Sequence, residues 1–233
     1  MHRGSHHLDL WVQGIFGSGV PGGSTLHFST PLLVVMTDDN RGALRASRRQ
    51  SRQQLSSEQQ LVAARALLDL IGHQDFFRVA QRIAFYQLID GEIDPRLLLN
   101  LALSERKTCF LPVISRETPE FVSFAPYDTD TPLIESQWGI PEPPSETIVS
   151  PTDFDVVFVP LVGFNAQCFR LGMGKGCYDR TFSFKIFNRR SRPLLVGLAH
   201  ESQLVTESFP IQSWDVRLDA VATDKKIYRP DTA

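Results

Sequence analysis

The sequence has little cysteine, almost no net charge and no long apolar stretch, and each shortage excludes a class of protein. The three cysteines, Cys109, Cys168 and Cys177, lack the paired spacing of a metal site. An odd, small number of cysteines is typical of proteins in a reducing compartment. The net charge of −2 offers no general attraction to nucleic acid or to acidic membranes. No apolar run approaches the roughly 20 residues of a transmembrane helix. We therefore expect a cytoplasmic globular protein that binds neither nucleic acid nor membrane.

The beginning of the chain differs in composition from the rest. A histidine-rich, tag-like segment (residues 1–7) is followed by a segment rich in glycine and serine (residues 14–24). We interpret residues 1–35 as a flexible or non-native extension, with Met36 as the natural start. Residues 36–233 show no internal repeat and no composition change that would divide them, so we expect one domain there.

Segments with the pattern of buried strands alternate with helical segments along this domain. Strands are expected at residues 82–86, 107–114, 121–124, 155–160 and 193–199 and at the end of 213–223. Helices are expected at residues 41–55, 57–72 and 95–104 and again from residue 177 or 178. This alternation is typical of an α/β domain with a mainly parallel sheet and helices on both faces.

The second of these helices has clear end signals. Residues 56–60 contain a Ser followed three positions later by Gln, the pattern of a capping box, and Gly72 closes the helix. The spacing of its apolar residues predicts a buried stripe made of Leu61, Ala64, Leu68 and Ile71.

The first helix carries a basic face. Arg41, Arg45, Arg48 or Arg49, and Arg52 recur every three or four residues, so they share one side. Like charges on one face destabilise an isolated helix, so an anion could compensate them. A solvated surface helix is the alternative, and the residues alone favour it.

A glycine-rich segment at residues 170–180, RLGMGKGCYDR, follows an apolar strand at residues 155–160. Glycine lacks Cβ, so such a loop can turn sharply and bring its N–H groups close to an anion. Arg170 and Lys175 bracket the glycines, and Asp179 could bind a hard cation such as Mg²⁺. The pattern matches neither the P-loop nor the dinucleotide fingerprint. A glycine-rich turn with solvated charges is the alternative.

Residues 155–180, which include VPLVGFNAQCFRLGMGKGCYDR, resemble the signature of the 5-formyltetrahydrofolate cyclo-ligase family, and the W-x-I-P-x-P pattern of residues 138–143 occurs there too. The resemblance implies a single Rossmann-like domain of the NagB/RpiA/CoA-transferase group. It also implies an ATP-dependent carbon–nitrogen ligase that uses Mg²⁺. The substrate would be 5-formyltetrahydrofolate, including polyglutamylated forms. ATP would phosphorylate the formyl oxygen, giving 5,10-methenyltetrahydrofolate, ADP and phosphate. We expect a monomer.

The resemblance also assigns roles to individual residues. ATP would contact basic and glycine-loop residues, namely Arg41, Arg45, Arg170, Leu171, Gly172, Met173, Gly174, Lys175, Gly176 and Tyr178. The folate would contact Glu92, Trp138, Gly174, Cys177 and Tyr178. Asp179 and Asp215 would bind Mg²⁺, and Lys175 and Arg45 would offset charge developing on the phosphates.

Several of these positions have alternatives. Glu92 could be a solvated loop residue, and Trp138 could be a core anchor rather than a stacking surface. Cys177 stands where the family usually has an aromatic residue, and Met173 where some members have Arg.

The activity has alternatives as well. The chain could be a non-catalytic binding module of the same fold, or another enzyme of the NagB/RpiA/CoA-transferase group. The sequence shows no Ser/His/Asp or Cys/His arrangement, so we expect catalysis by positioning and charge neutralisation.

Overall fold

A computed structural model of the protein describes residues 38–115, 117–144, 147–189, 191–207 and 211–231. The predicted extension over residues 1–35 and the predicted start at Met36 lie outside the described residues. Among the described residues, no helix combines the length and the apolar character needed to cross a membrane.

The described chain forms the predicted alternation of helices and strands. The helices are α1 (Asp38–Gln53), α2 (Ser57–Gly72), α3 (Asp75–Val79), α4 (Arg96–Ser104), α5 (Cys177–Thr181) and α6 (Phe184–Phe187). The strands are β1 (Arg82–Ala84), β2 (Thr108–Val113), β3 (Ser123–Tyr127), β4 (Ile134–Glu135), β5 (Pro141–Glu142), β6 (Val156–Pro160), β7 (Gly163–Phe164), β8 (Arg170–Leu171), β9 (Leu194–Ala199), β10 (Ala220–Thr223) and β11 (Ile227–Tyr228). Helix α3 and the two-residue strands β4, β5, β7, β8 and β11 are additions to the predicted set.

One sheet of seven strands, in the order β11–β10–β9–β6–β1–β2–β3, organises the domain. Its five inner strands are all parallel, while β3 and β11 run antiparallel at the two edges. The predicted mainly parallel sheet is therefore confirmed. From β1 the chain adds β2 and β3 on one side and later β6, β9 and β10 on the other. The boundary between β1 and β6 is thus the point where the strand order reverses, and open α/β sheets bind ligands at such points.

Apolar side chains cover both faces of this sheet. Alternate residues of β6 point to opposite sides, so that Phe158 belongs to one cluster and Val157 to the other. The Phe158 cluster includes residues of α2 and α4, whereas the Val157 cluster contains Phe182 at the end of α5. The helices therefore lie on both faces, as predicted.

Helix α2 confirms its predicted ends and corrects its predicted face. Ser56 and Gln59 form the capping box, with both reciprocal hydrogen bonds present. Of the predicted stripe, Ala64 and Ile71 are buried, but Leu61 is 47% exposed and Leu68 is only partly buried. The buried face is instead made by Ala63, Ala64, Leu67 and Ile71. Because apolar residues surround much of this helix, its periodicity alone does not fix which side meets the sheet.

Candidate active site

A cavity of about 910 Å³ opens at the carboxyl ends of the central parallel strands. Its wall includes Tyr86 and Glu92, which follow β1, as well as Ile114 after β2 and Leu161 after β6. The cavity therefore lies where the strand order reverses, the position at which α/β sheets bind small molecules.

The glycine loop, residues 172–176, joins β8 to α5 and lines this cavity. Gly174 and Gly176 have φ values of +105° and +68°, a region that side chains with Cβ rarely adopt. A Cβ on Gly172 would lie 2.9 Å from Nη1 of Arg170. The backbone conformation therefore favours glycine at 174 and 176, and a side chain at 172 would displace the Arg170 guanidinium, which supports the interpretation of this segment as a ligand loop.

Arg170 and Asp179 stand on either side of the glycine loop and form an ion pair. The Arg170 Nη2 to Asp179 Oδ1 distance is 2.8 Å, and the Arg170 guanidinium lies 5.7 Å from the centre of the Tyr178 ring. Asp179 also accepts a hydrogen bond from the N–H of Val216, next to Asp215. The charges of Arg170 and Asp179 are therefore paired within the site, in contrast to the alternative of a glycine-rich turn with solvated charges.

Helix α1 turns part of its basic face toward the same cavity. Arg41 donates two hydrogen bonds to the Asp215 carboxylate, at 2.8 and 3.2 Å, and Arg45 Nε donates to the carbonyl of Gly172 at 2.9 Å. Arg41 is buried, and both arginines line the cavity. The solvated surface helix, which the residues alone favoured, is wrong.

Arg48 differs from Arg41 and Arg45 on α1. It pairs with the exposed Glu207 at 2.9 Å and does not line the cavity. Arg41 and Arg45 therefore reach the cavity, whereas Arg48 forms a surface ion pair, and Arg49 and Arg52 bond to Asp90.

Glu92 is 4% exposed and forms part of the cavity wall, so its interpretation as a solvated loop residue is wrong. Its carboxylate accepts a hydrogen bond from the N–H of Ile89 at 3.4 Å and lies 3.6 Å from Nη1 of Arg52. Burial raises the pKa of Glu92 to about 7, against the opposing pull of the Arg52 charge. Glu92 can therefore change between charged and neutral forms near neutral pH.

Trp138 lies at the rim of the cavity and is 48% exposed, so it is not a core anchor. Nζ of Lys175 lies 3.4 Å from the centre of a Trp138 ring, a cation–π contact between the glycine loop and the proline-rich segment. A planar ligand entering here would meet an aromatic face and a cation together.

Cys177 and Met173 occupy the cavity wall as well. Cys177 begins α5, and its Sγ lies 3.5 Å from the carbonyl oxygen of Pro119. Met173 is 46% exposed on the glycine loop. Leu171 is the exception among the predicted residues, because its side chain is fully buried and lies outside the cavity wall. A contact from Leu171 to a ligand would have to come from its main chain.

The cavity wall also includes residues that no sequence motif had indicated. Tyr86 is buried with its hydroxyl bonded to the carbonyl of Ile93, and Trp214, which directly precedes Asp215, is 62% exposed. A tryptophan beside a predicted metal ligand was a visible signal for the second of these. Tyr86 lies at the end of a strand pattern, which gave no such signal.

Mg²⁺ fits the donor chemistry of Asp179 and Asp215. Within the described ranges, no group of three or more His, Cys, Asp or Glu side chains could hold a metal ion by itself. Mg²⁺ is commonly bound by one or two carboxylates together with phosphate oxygens of a ligand, and both aspartates line the cavity. Each carboxylate is neutralised by an arginine in the structure, at 2.8 Å in both cases.

Comparisons with known proteins agree on one family. A sequence model of the 5-formyltetrahydrofolate cyclo-ligase family matches residues 37–224. The chain is 35% identical over 190 residues to the 5-formyltetrahydrofolate cyclo-ligase of Haemophilus influenzae, covering 78% of this chain and 97% of that relative. It is 31% identical over 182 residues to that of Escherichia coli, covering 77% and 98%. The structure is similar to Aquifex aeolicus 5,10-methenyltetrahydrofolate synthetase, with a TM-score of 0.70 and 28% identity over 83% of this chain and 94% of that one.

The fold and the cavity together define an α/β protein with an arginine-lined glycine loop at the switch point of its sheet. Within that class, the chain belongs to the 5-formyltetrahydrofolate cyclo-ligase family. Membership in this family argues against a different enzyme of the NagB/RpiA/CoA-transferase group.

Proposed function

We propose that the protein catalyses the ATP- and Mg²⁺-dependent cyclisation of 5-formyltetrahydrofolate to 5,10-methenyltetrahydrofolate. The observation that carries this proposal is that one cavity gathers the glycine loop, the arginines of α1 and the buried Glu92. A triphosphate needs the first two groups, and the polar edge of a reduced pterin needs the third.

The nucleotide phosphates bind between the glycine loop and α1. Arg41, Arg45 and Arg170 supply guanidinium groups that fork onto phosphate oxygens, and Lys175 adds a further cation. The folate lies across Glu92, Trp138 and Tyr178, with the Glu92 carboxylate accepting paired N–H bonds from the pterin. This arrangement brings the formyl oxygen next to the terminal phosphate, which is the positioning that phosphoryl transfer requires.

The reaction then proceeds in two steps. The formyl oxygen takes the terminal phosphoryl group of ATP, and ADP is released. N10 of the folate attacks the activated carbon and loses its proton, and the carbon–oxygen bond breaks with loss of phosphate, which carries that proton away. Lys175 and Arg45 stabilise the negative charge that develops on the transferring group. Mg²⁺, held by Asp179 and Asp215 together with the phosphates, would add further neutralisation of that charge.

The non-catalytic alternative has less support. Here the arginine, lysine and aspartate residues to which the resemblance assigns a role all line the same cavity as Glu92.

We propose further that the protein works as a monomer in the cytoplasm and accepts polyglutamylated folate. The thiols of Cys109 and Cys168 are free and buried, which suits a reducing compartment.

Turnover tests the proposed function. The protein is mixed with ATP, Mg²⁺ and 5-formyltetrahydrofolate, and methenyltetrahydrofolate is followed by its near-ultraviolet absorbance. We expect product that depends on both ATP and Mg²⁺. A folded protein that binds both ligands and yields no product would point to the non-catalytic module instead.

A further inference from the structure

The turn that carries Glu92 is held in an unusual backbone conformation. Asp90 and Gly91, which directly precede Glu92, have φ values of 52° and 72°, both in the left-handed region. Asp enters this region more readily than most residues, but such a turn persists only where its surroundings hold it. We call the side chains that hold it, Arg49, Arg52 and Gln53 of α1, the Asp90 clasp.

Arg52 is the centre of the Asp90 clasp. Its side chain is completely buried, although it carries a charge. Nε donates to the carbonyl of Asp90 at 2.8 Å, and Nη2 donates to the Asp90 carboxylate, also at 2.8 Å. Nη1 donates to the carbonyl of Leu161 at 3.0 Å and faces Glu92 at 3.6 Å. Arg52 therefore joins α1, the end of β6 and the Glu92 turn at the point where the strand order reverses.

Arg49 and Gln53, the other members of the clasp, hold the two oxygens of the Asp90 carboxylate. Arg49 Nε donates to the Asp90 carboxylate at 2.7 Å, and the amide of Gln53 donates to its other oxygen. The hydrogen bond from Arg49 holds the pKa of Asp90 well below its usual range, so Asp90 stays charged. The buried Arg52 thus lies between the Asp90 and Glu92 carboxylates in the network.

We infer that Arg52 and Asp90 are positioning residues that hold the Glu92 carboxylate at the cavity wall for recognition of the substrate. This inference rests on the proposed function, in which the charged form of Glu92 accepts N–H bonds from the pterin. It adds two residues that do not touch the substrate and that act through Glu92.

The charges around Glu92 determine the direction in which each substitution should shift its pKa. Arg52 lowers the pKa of Glu92, whereas Asp90 raises it. The other titratable groups that face the Glu92 turn are Tyr86 after β1, Tyr178 of α5 and His200 after β9. Burial raises the pKa of both tyrosines and lowers that of His200, so all three remain neutral near pH 7. Removing Arg52 or Asp90 should therefore shift the titration of Glu92 in opposite directions.

The experiment measures the dissociation constant for 5-formyltetrahydrofolate, without nucleotide, from about pH 5.5 to 9. The variants of the full chain are Arg52→Met, Asp90→Asn and Glu92→Gln. Arg48→Met is the matched control, because it removes an arginine of the same helix that pairs with Glu207 at the surface. Asn suits position 90 because, like Asp, it tolerates the left-handed region.

We expect the wild type and the control to lose folate affinity as the pH falls below about 7, and Glu92→Gln to abolish this acidic limb. Arg52→Met should move the limb upward by about one pH unit or more, with a roughly fivefold loss of affinity at pH 7. Asp90→Asn should move it downward. If the two substitutions merely loosened the fold, both would weaken binding, but they would not shift the acidic limb in opposite directions.

The outcomes separate the inference from the proposed function. If the wild type shows no folate binding at any pH, the proposed function fails. If the wild type shows the limb and Glu92→Gln loses it, but neither Arg52→Met nor Asp90→Asn moves it, the positioning role is overturned. Should Arg52→Met fail to fold, the direction of the shift in Asp90→Asn decides alone.

Discussion

Replacing Arg45 with Ala tests the phosphate end of the cavity. In the structure Arg45 Nε donates to the carbonyl of Gly172 at 2.9 Å, and a Cβ added to Gly174 would lie 3.9 Å from the Arg45 guanidinium carbon. One charge-assisted hydrogen bond from this group to a phosphate oxygen is worth about 1.5–3 kcal/mol. The guanidinium already has a partner in Gly172, which offsets part of that gain. We therefore expect the lower end, roughly a tenfold loss of ATP affinity.

The same substitution has a second, smaller effect on the fold. It removes the bond that ties α1 to the glycine loop, which should cost about 1 kcal/mol of the free energy of unfolding. Calorimetric titration with a non-hydrolysable ATP analogue measures the first effect, and urea unfolding measures the second.

Arg48→Ala is the matched control for Arg45→Ala. It removes the same charge from the same helix, but Arg48 pairs with the exposed Glu207, and such surface pairs contribute only about 0–1 kcal/mol. Equal ATP affinities in the two variants and the wild type would remove Arg45 from the nucleotide site and refute the reasoning.

Three further predictions concern the loop, the carboxylate and the aromatic rim. Gly174→Ala should reduce ATP affinity and lower the free energy of unfolding by about 1 kcal/mol or more, since φ is +105° there. The control Gly42→Ala, at an open position of α1, should be neutral or stabilising. Calorimetric titration and urea unfolding compare the two variants. Glu92 binds a proton in the folded state between pH 4.5 and about 7 that the unfolded chain releases, so the free energy of unfolding should fall as the pH rises through this window. Glu92→Gln should remove this fall, so that the variant is more stable than the wild type by up to about 3 kcal/mol at pH 8 but not at pH 4. Equal free energies of unfolding for variant and wild type at both pH values would contradict the assigned burial. Trp138→Ala should weaken folate binding roughly fivefold while Trp138→Phe retains most of it, and fluorescence titration that shows no difference would exclude stacking.

The alternation of strands and helices could be predicted because it rests on local patterns. The capping box of α2 and the glycine loop after β8 follow from residue types a few positions apart, and the structure has both where they were expected. The face of α2 was harder, since apolar residues around much of the helix left its orientation to packing against the sheet. Strand β11 contains only Ile227–Tyr228, too short a segment to show a period.

The partners of the arginines could not be predicted from local patterns. Their spacing placed them on one face of α1, but whether that face meets solvent depends on Asp215 and on Asp90, which are distant in the sequence. Arg52 illustrates the limit most clearly. A charge at the end of a polar helix normally indicates a solvated side chain, and only the folded chain shows it completely buried beside Glu92.

A crystal structure of the protein with a non-hydrolysable ATP analogue, Mg²⁺ and 5-formyltetrahydrofolate tests the central claim most directly. We expect the phosphates within hydrogen-bonding distance of Arg45 and the glycine loop, and the pterin against Glu92 in the same cavity. Phosphates bound away from the glycine loop, or a pterin in another cavity, would contradict the account.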